Sequence, residues 1–175
     1  GLDFGVQSGT GSYSVIAVNT ATGCSISMSG SANISINPLP NAYNVTGGGG
    51  YCVGGTGINI GTDNSDVGTN YQLYRGTTPV GTAAPGTGGT LAFGTFTSPG
   101  TYSVVATNAS TGCVMPQVGT ATVVVNPLPP VHTVSGGGNY CLGGAGVHVI
   151  LIGSNVGVTY ELYKNGVGTG ILLSG

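Results

Sequence analysis

The chain has 175 residues with 36 glycines and 9 prolines, and two Lys/Arg and four Asp/Glu side chains give it a formal net charge of −2. Only 3 % of its residues are charged, against roughly 25 % in a typical soluble protein, which leaves few groups for acid–base catalysis. We therefore expect no enzyme. No basic cluster is present to attract phosphates, so we expect no nucleic-acid partner. The longest apolar run, Val147–Ile152, is far shorter than the roughly 20 residues of a membrane span, so we expect no membrane insertion.

Strand-forming residues dominate the apolar part of the sequence. Hydrophobic residues make up 39 % of the chain, and most are Val, Ile, Leu and Tyr, which favour β-strands. The longest stretches free of Gly and Pro, Ser12–Thr22 and Thr101–Thr111, are rich in β-branched residues that disfavour helix. We therefore predict an all-β protein.

An internal repeat of 89 residues organises the chain. The repeated positions include Leu2 and Leu91, Tyr13 and Tyr102, Cys24 and Cys113, Asn37-Pro38-Leu39-Pro40 and Asn126-Pro127-Leu128-Pro129, Cys52 and Cys141, and Tyr71 and Tyr160. Proline cannot donate to a strand ladder and stiffens the chain between modules, so we interpret the Asn-Pro-Leu-Pro element as a linker. The predicted organisation is a C-terminal half-module at 1–40, a complete module at 41–129 and an N-terminal half-module at 130–175.

Seven short strands are predicted in the complete module. In chain order they are Tyr43–Thr46, Gly57–Ile60, Asn70–Arg75, Thr78–Gly81, Thr90–Phe93, Gly100–Thr107 and Gly119–Asn126. The glycine run Gly47–Gly50 is predicted to be a flexible turn. Seven short strands in about 89 residues are typical of an immunoglobulin-like β-sandwich. The predicted fold is therefore a tandem of immunoglobulin-like β-sandwiches, one complete module flanked by two half-modules.

Apolar residues spaced two apart predict which side of each strand faces the core. The predicted core comprises Ile58, Ile60, Tyr71, Leu73, Leu91, Phe93, Tyr102, Val104, Ala106, Ala121, Val123 and Val125. Tyr102 also has the position of a corner tyrosine, whose hydroxyl bonds the backbone a few residues upstream. The alternative is an ordinary aromatic residue on a strand.

No residue cluster predicts a catalytic, cofactor or metal site. Asp63-Asn64-Ser65-Asp66 is an oxygen-rich loop of a kind that can bind calcium, yet Ile152-Gly153-Ser154-Asn155 occupies the equivalent positions of the next module, which favours a polar turn. His132 and His148 have no histidine at the equivalent positions of the preceding module. We predict that both occupy solvated strand positions.

The order of short motifs resembles one protein family. The motifs are Tyr51-Cys52-x-Gly54-Gly55, Tyr71-x-Leu73-Tyr74, Gly100-Thr101-Tyr102-Ser103-Val104, Thr111-Gly112-Cys113 and a Val-rich strand ending at Asn126-Pro127-Leu128-Pro129. Together they look like the immunoglobulin-like repeats of very large surface proteins of gliding and other Bacteroidetes-type bacteria. Such repeats usually occur in long arrays exported by the type IX secretion system, often as adhesins or surface filaments.

The resemblance implies an extracellular, cell-surface location and a structural, non-catalytic role in a surface fibre or adhesin stalk. Its partners would be further copies or modules of the same array. In a second interpretation, the chain is a binding module whose exposed loops, Asp63–Gly68 and Thr77–Gly89, recognise a surface glycan or another cell. An exposed aromatic patch would favour binding, but these loops contain no Trp, Tyr or Phe.

Four cysteines at two repeated positions predict disulfides in a chain of exported character. We expect Cys52 to pair with Cys113, which would close the complete module, and Cys24 and Cys141 to have partners in adjoining copies or modules. The alternative joins Cys24 to Cys52 and Cys113 to Cys141 across the linkers. No cysteine has a His or a second Cys at ligand spacing, so a metal is not expected.

The two half-modules predict assembly. Within the repeat, three residues are missing between the position of Gly175 and that of Gly1. Either the chain is a window on a longer array, or the head and tail of successive copies complete each other, as in strand-addition polymers. In the second case we expect residues 1–40 of one copy to pack with residues 130–175 of another, so that Cys24 faces the neighbour's Cys141.

Overall fold

A computed structural model describes residues 1–175. It contains seventeen β-strands and no helix, which confirms the all-β class. Accordingly, no element qualifies as a membrane-spanning helix. The chain divides into two compact units, one formed by residues 1–49 and 56–124 and the other by residues 50–55 and 125–175. The predicted module limits stay predictions, and we use them below as names for three stretches of sequence.

The N-terminal segment, residues 1–40, contains four short strands. They are β1 (Gly11–Tyr13), β2 (Ile16–Val18), β3 (Ser25–Ser27) and β4 (Ala32–Ile34). β1 pairs with β4 and β2 pairs with β3, in both cases antiparallel. Nearly all side chains of this segment are exposed.

The central module, residues 41–129, contains nine strands. They are β5 (Val45–Gly47), β6 (Gly49–Cys52), β7 (Ile58–Thr62), β8 (Thr69–Arg75), β9 (Thr78–Pro85), β10 (Leu91–Phe96), β11 (Gly100–Asn108), β12 (Val114–Pro116) and β13 (Ala121–Asn126). β10, β7 and β5 form one sheet, and β13, β11, β8 and β9 lie in that order in a second sheet. β13 pairs with the first part of β11 and β12 with its last part. Where β13 continues into Val125 and Asn126, β6 runs beside it, and the Val53 amide donates to the Asn126 carbonyl over 2.9 Å.

The inner faces of these two sheets form the core of the first unit. The buried apolar residues are Ile60, Tyr71, Leu73, Leu91, Tyr102, Val104, Ala106, Ala121 and Val123, each at most 9 % exposed. All nine belong to the predicted core, whereas Ile58, Phe93 and Val125 are only half-buried. The rings of Phe96 and Tyr102, one from each sheet, lie 5.3 Å apart. Fully burying each large side chain contributes roughly 1.5–3 kcal/mol, so this double layer is the main source of the unit's stability.

Every predicted strand of the central module is present, but two further strands were not predicted. The predicted flexible turn at Gly47–Gly50 is wrong for its second half, because Gly49 begins β6, which gains hydrogen-bond partners along β13. β12 ends on Pro116, a residue that indicates an edge strand or no strand. In both cases a neighbouring strand, invisible in local sequence, determines the structure.

The hydroxyl of Tyr102 confirms the predicted corner tyrosine interaction. It donates to the Ser98 carbonyl over 2.8 Å, four residues upstream. The ring is 1 % exposed, so this hydrogen bond satisfies a buried polar group. It ties the loop before β11 to the strand that runs through the middle of the larger sheet.

The C-terminal segment, residues 130–175, contains four strands. They are β14 (Thr133–Gly136), β15 (Val149–Ile152), β16 (Thr159–Lys164) and β17 (Val167–Ser174). β14 pairs with β15 and β16 with β17, both antiparallel. Asn165 and Gly166 join β16 to β17 with φ angles of 52° and 80°, the positive values that a tight type I′ hairpin turn requires.

Candidate functional site: open sheet faces

The strand register of the N-terminal segment repeats that of the central module. Tyr13 lies opposite Ala32 in the β1–β4 pair, as Tyr102 lies opposite Ala121 in the β11–β13 pair. The β2–β3 pair likewise matches β11–β12, residue for residue. The Tyr13 hydroxyl donates to the Gly9 carbonyl over 2.9 Å, which reproduces the corner interaction of Tyr102. The segment therefore contains half of the central module's architecture in the same register.

The C-terminal segment repeats the other half in the same way. The β14–β15 pair matches β5–β7, and the β16–β17 pair matches β8–β9, including the irregularity in register. Gly47 and Gly136 occupy equivalent positions with φ angles of 93° and 90°. At each of them a Cβ atom would collide with a backbone carbonyl, of Asn59 or of His148. The sequence repeat is thus a structural repeat down to single backbone conformations.

Equivalent side chains differ sharply in burial between the central module and the two segments. The exposed fractions are 1 % for Tyr102 and 37 % for Tyr13, 1 % for Val104 and 38 % for Val15, 9 % for Leu91 and 91 % for Leu2, 1 % for Ile60 and 55 % for Val149, and 1 % for Leu73 and 37 % for Leu162. The residue types are the same or similar, and so is the local register. What differs is that the strands of each segment form only two-stranded sheets, which no second sheet covers. Each segment therefore presents an apolar sheet face to solvent.

An open groove of about 1030 Å³ runs along the inner face of the N-terminal segment. Its lining includes Leu2, Phe4, Tyr13, Val15 and Ile34. In the central module, the equivalent residues are buried or half-buried, and the strands β10 and β11 that carry most of them pair with β7 and β8. The groove is therefore lined by the counterparts of side chains that, in the central module, belong to the same core as those of β7 and β8.

Two stretches with strand counterparts in the central module are not strands in the segments. Leu2–Gln7 corresponds to β10, and Gly138–Cys141 corresponds to β6, but neither is paired. β10 is formed by pairing with β7, and β6 by lying beside β13. Each segment thus has an unpaired stretch whose counterpart in the central module pairs with a strand of the other half.

A hydrogen-bonded clamp fixes the chain where it leaves the first linker. The Asp66 carboxylate accepts hydrogen bonds from the Asn41 amide (3.0 Å), the Asn41 side chain (3.1 Å) and the Tyr43 hydroxyl (2.6 Å). The Tyr43 hydrogen bond, assisted by those from Asn41, lowers the pKa of Asp66, and the same bond raises the pKa of Tyr43. Pro40, the last linker residue, is buried. The linker therefore enters the central module through a fixed path.

The C-terminal segment replaces this clamp with a different pair of side chains. His132 stands at the position of Tyr43, and its Nε2 atom lies 2.5 Å from Oδ1 of Asn155, which stands at the position of Asp66. The prediction that His132 is a solvated strand residue is wrong: it is half-buried, precedes β14 and bonds the turn. His148 is exposed, just before β15. The sequence analysis did not predict this pair. The signal was that both positions change together, from Tyr43 and Asp66 in the central module to His132 and Asn155 in the C-terminal segment.

The acidic loop of the central module uses its carboxylates within the protein. Asp63 accepts hydrogen bonds from the Asn44 amide (2.9 Å) and from the Asn44 side chain (2.6 Å), and Asp66 forms the clamp. Ser65 is buried and its hydroxyl donates to the Gly89 carbonyl over 2.7 Å. No group of three or more His, Cys, Asp or Glu side chains is placed to hold a metal ion. The loop acts as a polar turn that anchors the incoming chain.

All four cysteines are free thiols in the structure. The predicted Cys52–Cys113 bridge is not formed here, and that pairing stays a prediction. Cys113 precedes β12, and its sulfur lies 4.0 Å from the carbonyl oxygen of Asn37, in the linker before the central module. Cys52 ends β6, next to Val53, whose amide bonds Asn126 in the linker after the module. Each cysteine of the central module therefore lies beside a different linker.

No protein-family model matches the chain, and no curated protein matches it. Function is therefore inferred from the two open sheet faces and from the repeat that relates them to the closed central module.

Proposed function

We propose that the protein is a non-catalytic structural repeat of an extracellular bacterial surface fibre or adhesin stalk. In this proposal its modules are tandem immunoglobulin-like β-sandwiches, and its partners are further copies or modules of the same array. For the 175-residue chain itself, the occupant of each open face is the complementary segment of a second copy. The chain would thus assemble head to tail.

The observation that carries the proposal is that the two segments together contain a counterpart of every central strand. In the C-terminal segment, β14 to β17 correspond to β5, β7, β8 and β9, and Gly138–Cys141 corresponds to β6. In the N-terminal segment, β1 and β2 correspond to β11, β3 to β12 and β4 to β13, and Leu2–Gln7 corresponds to β10. No strand is duplicated between the segments and none is missing. One segment from each of two copies would complete one sandwich.

The central module supplies the register for this composite sandwich. Its two halves are joined by β7–β10 pairing and by seven residue pairs between β8 and β11. At the equivalent positions of two copies, Tyr13 would lie opposite Lys164 and Val15 opposite Leu162. The unpaired stretches Leu2–Gln7 and Gly138–Cys141 would then gain their strand partners. The sheet edges that each segment leaves open to solvent would thereby be covered.

The composite core would be more apolar than the central core. Leu151 stands where the central module has Thr62, whose buried Oγ1 atom has no hydrogen-bond partner, and Met28 stands where it has Gln117. The segments carry only three charged side chains, Asp3, Glu161 and Lys164, so little charge would be desolvated. Since each large apolar side chain that becomes buried contributes roughly 1.5–3 kcal/mol, these substitutions favour association between copies.

Two further features support a spacer rather than a catalyst. The carboxylates of the central module, Asp63 and Asp66, accept hydrogen bonds that fix the backbone, which gives both of them a structural role. The clamp and the buried Pro40 hold the linker in place, as a stalk that keeps its direction requires. The extracellular location follows from the resemblance to bacterial surface repeats and is part of the proposal.

The test is the mass of the chain in solution, measured by light scattering in the presence of a reductant. We expect masses that rise with concentration well above the 17.0 kDa of one chain, and filaments by electron microscopy. Leu162→Asp places a charge at the counterpart of buried Leu73 and should abolish assembly. Leu172→Asp is the matched control, because its counterpart Ala83 is exposed and assembly should persist.

A single-chain mass at every concentration would overturn the proposal, whether the segments stay open or close on each other within one chain. Equal loss of assembly in Leu162→Asp and Leu172→Asp would also count against it, because only the first side chain is expected inside the composite core.

A further inference from the structure

Two equivalent linker carbonyls are contacted by Cys113 in one case and by Val53, the residue after Cys52, in the other. Asn37 and Asn126 are equivalent residues at the start of the two linkers. The Cys113 sulfur lies 4.0 Å from the Asn37 carbonyl oxygen, approaching it from the module that follows the linker. The amide of Val53, the residue after Cys52, bonds the Asn126 carbonyl over 2.9 Å, approaching it from the module that precedes the linker. A carbonyl oxygen has two lone pairs and can accept from both sides.

We infer that the cysteines form disulfides across the linkers, between the Cys52-type residue of one module and the Cys113-type residue of the next. The inference rests on the proposed head-to-tail assembly, which brings consecutive modules together. In that assembly, Cys52 of one copy bonds Cys24 of the next copy, and Cys141 of the first copy bonds Cys113 of the second. Every cysteine then has a partner, and each junction carries two bridges.

The thiols meet the conditions for such bridges. Cys24, Cys52 and Cys141 are exposed and Cys113 is half-buried, so a neighbouring copy and a small oxidant can both reach them. A disulfide needs Cα atoms within about 7 Å, so the inference requires the two cysteines to come within that distance at each assembled junction. The Cys52–Cys113 pairing stays a prediction; in it, the residue next to Val53 would bond the residue that contacts the other linker.

The reaction is a thiol–disulfide exchange with a small-molecule disulfide such as oxidised glutathione. Two protein thiols lose two protons and two electrons to form one sulfur–sulfur bond. The oxidant's sulfur–sulfur bond breaks, and its two sulfurs take up those electrons and protons as two thiols. The bridges would convert a noncovalent fibre into a covalent chain.

Paired serine variants of the full chain distinguish the possible pairings. After assembly in reductant and transfer to oxidised glutathione, the wild-type chain should give a covalent ladder in non-reducing SDS gels. The ladder should persist in Cys24→Ser/Cys52→Ser and in Cys113→Ser/Cys141→Ser, since one bridge per junction remains. It should disappear in Cys24→Ser/Cys113→Ser, because the remaining Cys52 and Cys141 have lost their partners.

Peptide mapping identifies the bridges directly. The chain has only two tryptic sites, after Arg75 and Lys164, which place Cys24 and Cys52 in one peptide and Cys113 and Cys141 in another. The proposed bridges join like peptides from two copies, whereas a Cys52–Cys113 bridge joins unlike peptides. A mixture of unlabelled and ¹⁵N-labelled chains should give hybrid-mass crosslinked pairs, which bridges within one chain cannot produce.

The outcomes separate the two proposals. Failure to assemble in reductant removes the fibre proposal and this inference with it. Assembly followed by bridges between unlike peptides, by bridges without isotopic hybrids, or by no covalent ladder overturns this inference and leaves the fibre proposal standing.

Discussion

The central module and the two flanking segments have closely related sequences and the same strand register, yet only the central module has a closed core. Tyr102 and Tyr13 make the same hydrogen bond to a carbonyl four residues upstream, but the first ring is 1 % and the second 37 % exposed. Strand pairing and corner interactions are therefore specified within each half of a module. Burial of the apolar side chains is not specified within one half, because it needs the facing half of the module.

This difference explains why the half-sandwich suits assembly. The strand pairs of each segment already have the register of the central module. A segment of this kind needs little reorganisation to bind the complementary segment, so less of the binding free energy is lost to ordering. In the proposed assembly, the apolar faces, rather than charges, would supply the free energy of association. Substitutions at pairs of equivalent residues separate what half a module specifies from what only a complete module provides.

The largest effect is expected from truncating the same leucine in the two settings. Leu73→Ala removes a buried side chain and should lower the free energy of unfolding of the central module by about 2–5 kcal/mol. Leu162→Ala, at the equivalent position, should change the stability of the monomeric chain by less than about 0.5 kcal/mol but weaken assembly. Urea unfolding at a concentration where the chain is monomeric, followed by light scattering at high concentration, measures both. Equal destabilisation of the monomer by the two variants would show that the segments already have closed cores.

The sequence predicted the parts of the fold that depend on local patterns. Alternating apolar residues identified the strands and all nine buried core residues, because the period of two follows from backbone geometry. β6 was missed because Gly49 and Gly50 have no side chains to form a pattern, and a neighbouring strand alone makes them a strand. The clamp between Asp66 and Tyr43 was missed because it joins side chains 23 residues apart, outside any local pattern. Only the joint replacement of the two residues by Asn155 and His132 in the C-terminal segment signals it.

A smaller effect of opposite sign is expected at Thr62. Its buried Oγ1 atom has no hydrogen-bond partner, and the equivalent residue of the next module is Leu151. Thr62→Val keeps the shape and removes the unsatisfied hydroxyl, so we expect the central module to gain about 1–2 kcal/mol. Thr62→Ser keeps the hydroxyl and should give no gain. Thermal unfolding measures both, and a lower melting temperature for Thr62→Val would mean that the hydroxyl is satisfied in solution.

The corner tyrosines should differ in the same direction as the leucines, with a smaller amplitude. Tyr102→Phe removes one hydrogen bond in a buried setting and should cost about 0.5–1.5 kcal/mol, leaving the Ser98 carbonyl without its donor. Tyr13→Phe should cost almost nothing in the monomer, because water can reach the Gly9 carbonyl of the exposed segment. Its cost should appear only as weaker assembly. Chemical denaturation of both variants below the assembly concentration makes this comparison.

The smallest effect is expected on the stability at low pH. It distinguishes the Asp66 clamp of the central module from the His132–Asn155 pair of the C-terminal segment. The Tyr43 hydrogen bond lowers the pKa of Asp66 below its usual value of 3.8. A carboxyl whose pKa is lower in the folded state stabilises that state above the unfolded pKa, and this stabilisation is lost as pH falls through the folded pKa. The central module should therefore lose stability as the pH falls below about 4. Asn155, at the equivalent position, has no carboxyl to protonate.

Asp66→Asn introduces the residue type of the next module and should flatten this dependence. We expect its melting temperature to change less between pH 5 and pH 2.5 than that of the unchanged chain, by the contribution of one partly exposed carboxyl. Asp3→Asn is the matched control, because Asp3 bonds only the neighbouring Gly5 amide in an exposed segment and its removal should leave the slope unchanged. If Asp66→Asn and the unchanged chain lose stability in parallel, the clamp does not hold the linker in solution, and the junction depends on the buried Pro40 and on the Gln117 side chain, which bonds Asn41 and Tyr43.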